Sequence, residues 1–343
     1  MACCMQNIFE IDSDKKTPKY LQIVNSITKS IKYGKLKKGD KIFSINELSN
    51  EFLLSRDTVQ KAYKVLEETR IIVPVKGKGF YINRTDITRY YRILLLFNKM
   101  SNYKKQIYNS FIQAMGDKAT VDLKIYHCDT EIFLNILEAH RHEYDYYIIM
   151  PHFYERAEEA YDAIAEIPKD QLLILDKELA YAKSGYAAVF QDFKNDIVAA
   201  LESAGDRLKK YKKLILVYPT STPYPPEIII GFKNFCMQYA FPFCILNEIT
   251  NYADPCPGEI YIVIEDTDLV NLIKRCRVKK LVIGKDVGII SYNETPLKEI
   301  LLDGITVIST DHAKMGELAA QLILENRTER IKNDFSLIVR KSL

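Results

Sequence analysis

The 343-residue chain has no C-x-x-C pair, no G-x-S-x-G, and no run approaching the roughly 18 apolar residues of a membrane span. Its seven cysteines (Cys3, Cys4, Cys128, Cys236, Cys244, Cys256, Cys276) are scattered and odd in number, and the five histidines do not cluster with them. That spacing argues against a zinc framework or a disulfide scaffold and for free cytosolic thiols. The start, MACCMQNIFEIDSDKK, lacks a basic segment followed by an apolar core, so it makes a poor signal peptide. No metal-ligand spacing and no phosphate loop occurs. These absences lead to the expectation of a cytoplasmic protein with no metal, no cofactor, no membrane contact and no catalytic residues.

What is present is the composition of a globular protein, with 48% hydrophobic and 27% charged residues. The length suffices for two or three domains. Net charge is only +3, but it is uneven. Residues 1–84 hold 16 Lys+Arg against 9 Asp+Glu, and the remainder holds 32 against 36. A small basic head on a mildly acidic body points to a polyanionic partner for the head alone, although a basic head also serves solubility.

The head reads as three helices and a hairpin. Tyr20, Ile23, Val24, Ile27 and Ile31 recur at helical spacing after Pro18, and Gly34 ends that helix. Ser44 with Glu47 three residues later forms a capping box, and Leu48 and Phe52 supply an apolar stripe. Ser55 caps the next helix, LLSRDTVQKAYKVLE (53–67). Val59, Ala62, Tyr63 and Leu66 line one of its faces, and Arg56, Asp57, Gln60, Lys61 and Lys64 crowd the other. Strands are expected over 71–75 and 80–82, joined by KGKG, in which Gly77 and Gly79 permit positive φ. A helix-turn-helix followed by a cationic hairpin is a winged helix, an arrangement suited to DNA.

The stretches Y-L-Q-I, G-D-K-I-F-S-I-N-E-L, S-R-D-T-V-Q-K-A-Y-K-V-L and G-K-G resemble the GntR family DNA-binding domain over residues 18–84. The family's arginine in P-S-E-R-E-L falls on Asn46. The resemblance implies that Arg56, Thr58, Gln60 and Lys61 face DNA, with Gly77, Lys78 and Gly79 at the wing tip. Ser44, Asn46, Ser55, Asp57 and Lys76 complete the candidate DNA-binding set.

From residue 92 strands alternate with helices. Strands are expected over 92–98, 122–129, 145–151 and 171–176, with helices over 103–118, after 129 and over 154–165. The series starts again with AAVFQD (187–192), a helix over 194–209 and KKLILVYP (212–219). FPFCILNEI, EIYIVIED, DVGIISYN and GITVIST supply four further strands. This order implies parallel sheets in two lobes, with ligands at the carboxyl ends of strands.

The run DVGIISYNETPLKEILLDGITVISTDHAKMGELAAQLILE, with Tyr292-Asn293-Glu294 and Gly316-x-x-Ala319-Ala320, resembles the LacI/GalR effector domain over about residues 90–343. The resemblance implies ligand contacts from Ser101, Asn102, Tyr103, Asp192, Glu265, Asn293 and His312. The family's arginine before the Gly231-Phe232 pair is Ile228 here, so Glu227 is a candidate substitute. Residues 250–258 are too short and proline-rich for the usual crossover helix. A sugar site needs acids and amides for hydroxyls and aromatic faces for ring C–H groups, which adds Phe153 and Phe193 as candidates beside Tyr103. The aspartates fit helix N-caps equally well, and His312 fits packing equally well.

The expected fold is a small α+β winged helix-turn-helix domain (1–84), a linker (85–91) and a two-lobed α/β domain with parallel sheets, periplasmic-binding-protein-like type I (92–343). The expected function is a homodimeric transcriptional regulator. Its partners are double-stranded operator DNA and a small-molecule effector, a monosaccharide. A regulator of a non-sugar metabolite and an α/β enzyme are the alternatives. A body of about 250 residues with a doubled strand order is too short for the aminotransferase-like fusion seen with some GntR heads.

Overall fold

The computed structural model describes residues 8–9, 11–12, 18–32, 34–85, 90–179, 185–250 and 254–343. The segment with Cys3 and Cys4, residues 86–89 of the expected linker and residues 251–253 of the shortened crossover lie outside the described residues. The chain divides into two units, Met1–Tyr90 and Tyr91–Leu343.

In the first unit, α1 (Lys19–Lys32), α2 (Ile45–Glu51) and α3 (Arg56–Glu68) enclose a core that includes Ile23, Ile27, Leu48, Val59, Ala62 and Leu66. Local chemistry sets the boundaries. Ser44 Oγ accepts from Glu47 N at 3.2 Å while Glu47 Oε2 accepts from Ser44 N at 2.7 Å, completing the capping box. Ser55 Oγ accepts from Thr58 N and starts α3. The Tyr63 hydroxyl donates to Phe43 O, tying α3 to the segment before α2. The wing is β2 (Ile72–Val75) and β3 (Gly79–Ile82), paired antiparallel as expected. A third strand, β1 (Lys41–Ile42), to which the sequence reading assigned no element, pairs with β3.

The second unit holds two six-stranded sheets. The first contains β4 (Tyr91–Phe97), β5 (Ala119–Ile125), β6 (Tyr146–Ile149), β7 (Leu172–Asp176), β8 (Ala187–Phe190) and β14 (Arg330–Lys332). Its order is β14-β8-β7-β6-β4-β5, parallel throughout. The second contains β9 (Lys213–Val217), β10 (Phe243–Leu246), β11 (Glu259–Val263), β12 (Val287–Tyr292), β13 (Thr306–Thr310) and β15 (Phe335–Ile338). Its order is β10-β9-β11-β12-β13-β15, with only β15 antiparallel.

Several expectations shift. β5 runs from Ala119, not residue 122, because β4 registers Tyr91 against Ala119 and Phe97 against Ile125. His127 and Cys128 then adopt positive φ, which ends any extension to residue 129. Residues 187–190, where the sequence reading restarted the series, belong to the first sheet between β7 and β14, and the strands of the second lobe open with β9 at Lys213–Val217, within the expected 212–219. Tyr91, placed in the linker by the sequence reading, is the buried first residue of β4. β14 and β15 were not anticipated.

The helices explain the burial. α4 (Asn102–Met115) packs beside α11 (His312–Leu324) on one face of the first sheet, and α5 (Thr130–Ala139) and α6 (Ala157–Ala165) cover the other. In the second lobe α7 (Phe193–Ala204) and α8 (Glu227–Gln238) cover one face and α9 (Asp266–Val278) the other. A short helix α10 (Pro296–Ile300) follows β12. The chain therefore crosses between lobes three times: β8 to α7, β13 to α11, and β14 to β15.

Gly316 sits where α11 meets α4. A Cβ there would lie 2.3 Å from Ile107 O and 2.4 Å from Ser110 Oγ. Gly316→Ala is expected to destabilise the protein by about 1–3 kcal/mol from overpacking, against a helix-propensity gain of about 1 kcal/mol. Chemical denaturation measures this; an unchanged midpoint would show that the two helices can separate without cost.

Candidate functional site

Two regions present functional chemistry. In the first unit, α3 buries Val59, Ala62, Tyr63 and Leu66. Arg56, Asp57, Gln60 and Lys61 are exposed on its outer side. Lys61 Nζ lies 4.2 Å from the centroid of the Tyr20 ring. Thr58 shares a 2.7 Å hydrogen bond with Ser55 through their hydroxyls, and both Ser44 and Ser55 serve as caps. Asn46 is exposed on α2. Lys76, Gly77 and Lys78 are exposed at the wing tip, where Lys78 N donates to Val75 O. Gly77 carries φ +75° and Gly79 φ +101°, which the turn requires.

In the second unit, strand ends from both sheets converge on a cleft between the lobes. Its lining includes Asn98 and Lys99 after β4, His152 after β6, Asp176 ending β7 and Gln191 after β8. The other lobe contributes Thr222, Pro223, Tyr224 and Pro225 after β9, Ile228 on α8, and Tyr292 and Asn293 at the end of β12. Tyr103 and Lys104 of α4 and Phe193 of α7 complete it. Free space at its centre is about 30 Å³, room for about two waters. A ligand larger than about two waters therefore needs the lobes to part.

The floor of the cleft is a buried polar network. Asp176 Oδ2 is 2.8 Å from His152 Nε2, and its Oδ1 accepts from Gln191 Nε2. Lys104 Nζ donates to Asn98 Oδ1. Burial pushes the Asp176 carboxyl up, but the His152 and Gln191 hydrogen bonds and the Lys104 charge together hold it well below the usual range. Burial pushes Lys104 down to about 8 against the pull of Asp176, so it remains charged at neutral pH. Burial also lowers His152, which stays neutral and donates to Asp176. Desolvation raises the Tyr103 and Tyr292 hydroxyls.

At one side of the cleft the lobes are joined directly. Lys99 Nζ of the first lobe is 3.5 Å from Glu265 Oε1 of the second and donates to the Tyr224 hydroxyl at 3.2 Å. That hydroxyl donates to Glu265 Oε1 at 2.5 Å. Behind the Asn293 turn, buried Lys298 donates to the carbonyls of Tyr292 and Asn293 and pairs with Asp266 at 3.0 Å.

Of the ten effector candidates, Tyr103, Phe193 and Asn293 line the cleft. Glu265 acts on it through Lys99 and Tyr224, and His312 through its ring contact with Tyr103 at 4.8 Å. Ser101 caps α4, and Asn102 is exposed beside it. These four are outside the lining itself, and so are the remaining three. Phe153 packs against Tyr126 and Phe133 in the core. Asp192 caps α7, with one carboxylate oxygen on Asn195 N and the other on Asn195 Nδ2. Glu227 opens α8, and its neighbour Ile228 faces the cleft instead. The reading missed Asn98, Lys104, His152, Asp176, Gln191, Tyr224 and Tyr292. Asn98, Asp176 and Gln191 follow the last apolar residue of a strand, as Asn293 does, and that position at a strand's carboxyl end is the signal that could have found them. Lys104 has no such signal, because a lysine on a helix reads as solvated. Among the described residues, no group of three or more His, Cys, Asp or Glu is placed to hold a metal ion, and no helix is long and apolar enough to cross a membrane.

Residues 19–82 match the gntR family of bacterial regulatory proteins, and residues 209–343 match a periplasmic binding protein-like domain. The chain is 35% identical over 107 residues to the HTH-type transcriptional repressor YtrA of Bacillus subtilis (strain 168), covering 31% of this chain and 78% of that protein. In structure it is similar to the trehalose repressor from Escherichia coli, with TM-score 0.60 at 14% identity, covering 72% of this chain and 99% of the other. A LacI family transcriptional regulator from Lactobacillus casei with bound glucose gives TM-score 0.58 at 14% identity, covering 74% and 99%. These likenesses establish the two-lobed fold.

His312 is buried, and burial lowers its imidazole from 6.5 to about 4. Between those values the unfolded chain binds a proton that the native state does not, so stability present above pH 6.5 is lost as the pH falls toward 4. The loss from this residue reaches about 3 kcal/mol. His312→Phe is expected to flatten the acid limb of the stability profile by about that amount. Urea unfolding at neutral pH and near pH 4 measures it; equal acid losses in the two proteins would refute the assignment.

Proposed function

The chain belongs to the gntR family of bacterial regulatory proteins and is a DNA-binding transcriptional regulator; we propose that its grip on operator DNA is controlled by a monosaccharide held between the two lobes. The observation that carries this reading is the cleft itself. Strand-end amides, acids and tyrosines from both sheets converge on one enclosed space, the chemistry that recognises hydroxyls. The glucose held by the Lactobacillus casei regulator, which shares the fold, supports a sugar. The role assigned to the cleft is binding, not catalysis, and the place of action is the bacterial cytoplasm, where operators lie.

In this reading α3 enters the major groove, with Arg56, Gln60 and Lys61 directed at bases and flanking phosphates. Asp57 and Thr58 lie beside them. Ser44, Asn46 and Ser55 lie at the helix starts near the backbone, and Lys76, Gly77, Lys78 and Gly79 form a wing on phosphate or the minor groove. One recognition helix reads only about four to six base pairs, so a homodimer on a two-fold operator is part of the proposal. Closure of the lobes on the sugar, about the three crossings, is the change that alters operator affinity.

The test uses an operator selected from a random duplex library. Arg56→Ala is expected to cost on the order of 1–3 kcal/mol on that operator. Lys78→Ala should cost less, equally on all sequences, and reduce the salt slope by about one. Fluorescence anisotropy at several salt concentrations measures both. Wild-type binding by both variants would reject the docking arrangement, and a complex of one protein per operator would reject the dimer.

A further inference from the structure

Gln191 and Tyr292 line the cleft and are only 7% and 3% exposed. The Gln191 amide donates to Asp176, and an ionised carboxylate only accepts, so the NH2 end of the amide is fixed and Oε1 faces away. Among the described residues neither Gln191 Oε1 nor the Tyr292 hydroxyl has a hydrogen-bond partner, although both atoms are buried. Buried polar atoms are rarely left unpaired, so two of them on residues that line one cleft point to where a ligand completes the network.

The charges in and beside the cleft, by contrast, are matched. Asp176 is held by His152, Gln191 and the Lys104 charge, and Lys99 pairs with Glu265. Two cations and two anions leave no net charge, and the adjoining wall is the apolar Ile228. A phosphate or carboxylate would need a spare cation or a fork of donors. Here it would meet Asp176 and Glu265 after losing its own water.

We infer that the effector is an uncharged sugar, not a sugar phosphate or sugar acid, with one hydroxyl donating to Gln191 Oε1 and another meeting the Tyr292 hydroxyl. This rests on the reading of the cleft as a sugar site. Gln191 and Tyr292 are then specificity-determining residues of that site. In the free protein they are sources of instability, because their polar atoms are buried without partners.

The full chain is titrated calorimetrically with neutral pentoses, hexoses and 6-deoxyhexoses, and with the phosphates and uronic acids of the same sugars. A neutral sugar is expected to bind, with its phosphate and uronate weaker by about a hundredfold or more. Tighter binding of a phosphate or uronate than of its neutral parent overturns the inference and leaves the sugar site standing. No binding by any carbohydrate, charged or not, removes the sugar reading itself and the inference with it. Tyr292→Phe is expected to weaken the neutral sugar by roughly five- to thirtyfold while holding or raising the melting temperature of the free protein. A lower melting temperature with unchanged affinity would make that hydroxyl structural and overturn its assignment. Gln191→Leu should weaken the same sugar, and full retained affinity there would overturn the role of Oε1.

Discussion

Asn333 holds the effector domain in its two-lobed form. It is buried in the last of the three segments that cross between lobes. Its backbone N donates to Phe190 O at the end of β8, the first crossing. Its Nδ2 donates to Thr310 Oγ1 and to Asp311 O, at 2.8 and 2.7 Å, in the second crossing. Asp311 N and the Thr310 hydroxyl donate back to Asp334 O. Three chain segments are thereby laced at one point by hydrogen bonds centred on the buried Asn333 side chain. Such a point permits rotation by small dihedral changes but resists sliding, which is the behaviour of a hinge.

The chemistry of the cleft follows from that constraint. With the lobes hinged at the ends of β8, β13 and β14, the carboxyl ends of both sheets are brought face to face. Backbone groups run out of strand partners there, and polar side chains take their place. The first lobe supplies a buried charge network around Asp176, and the second supplies Tyr292, Asn293 and the Tyr224 loop. Lys99 of the first lobe is joined to Tyr224 and Glu265 of the second, contacts that parting of the lobes would break. The small free volume at the centre fits a closed state.

The DNA-binding unit is built on other terms. Its boundaries are local, set by serine caps at Ser44 and Ser55 and by glycines in the wing turn. Its core is a single apolar cluster fed by one face of each helix. That economy leaves the outer face of α3 free of structural duty, so Arg56, Gln60 and Lys61 are available for recognition. The body instead uses polar groups internally, and its buried Lys104, His152 and Asp176 tolerate burial only because each is held by the others or by an amide.

Much of this was legible in the chain. The capping box, the period of Val59, Ala62, Tyr63 and Leu66, and the KGKG turn are local signals, and local geometry decides them. The runs that became β4, β6, β7, β11 and β12 are largely apolar on both faces, as suits buried parallel strands. Asn293 was reached through the resemblance of Tyr292-Asn293-Glu294 to the LacI/GalR motif, and it sits at a strand's carboxyl end, where that resemblance implies ligand contacts. Four features depended on tertiary structure. The return of α11 and β14 to the first lobe appears only in the tertiary structure, where α11 packs on α4 with Gly316 at the contact and β14 pairs with β8; neither contact can be read from the order of strands and helices. The absence of Asp192 from the cleft lining goes with its bonds to Asn195, a capping role that the sequence alone does not separate from a ligand contact. Phe153 went to the core because Tyr126 and Phe133 lie within ring contact of it. Lys104 entered the cleft because the neighbouring lobe and Asp176 enclose a side chain that the sequence alone would leave in water, and burial of a charge is decided by what surrounds it in space.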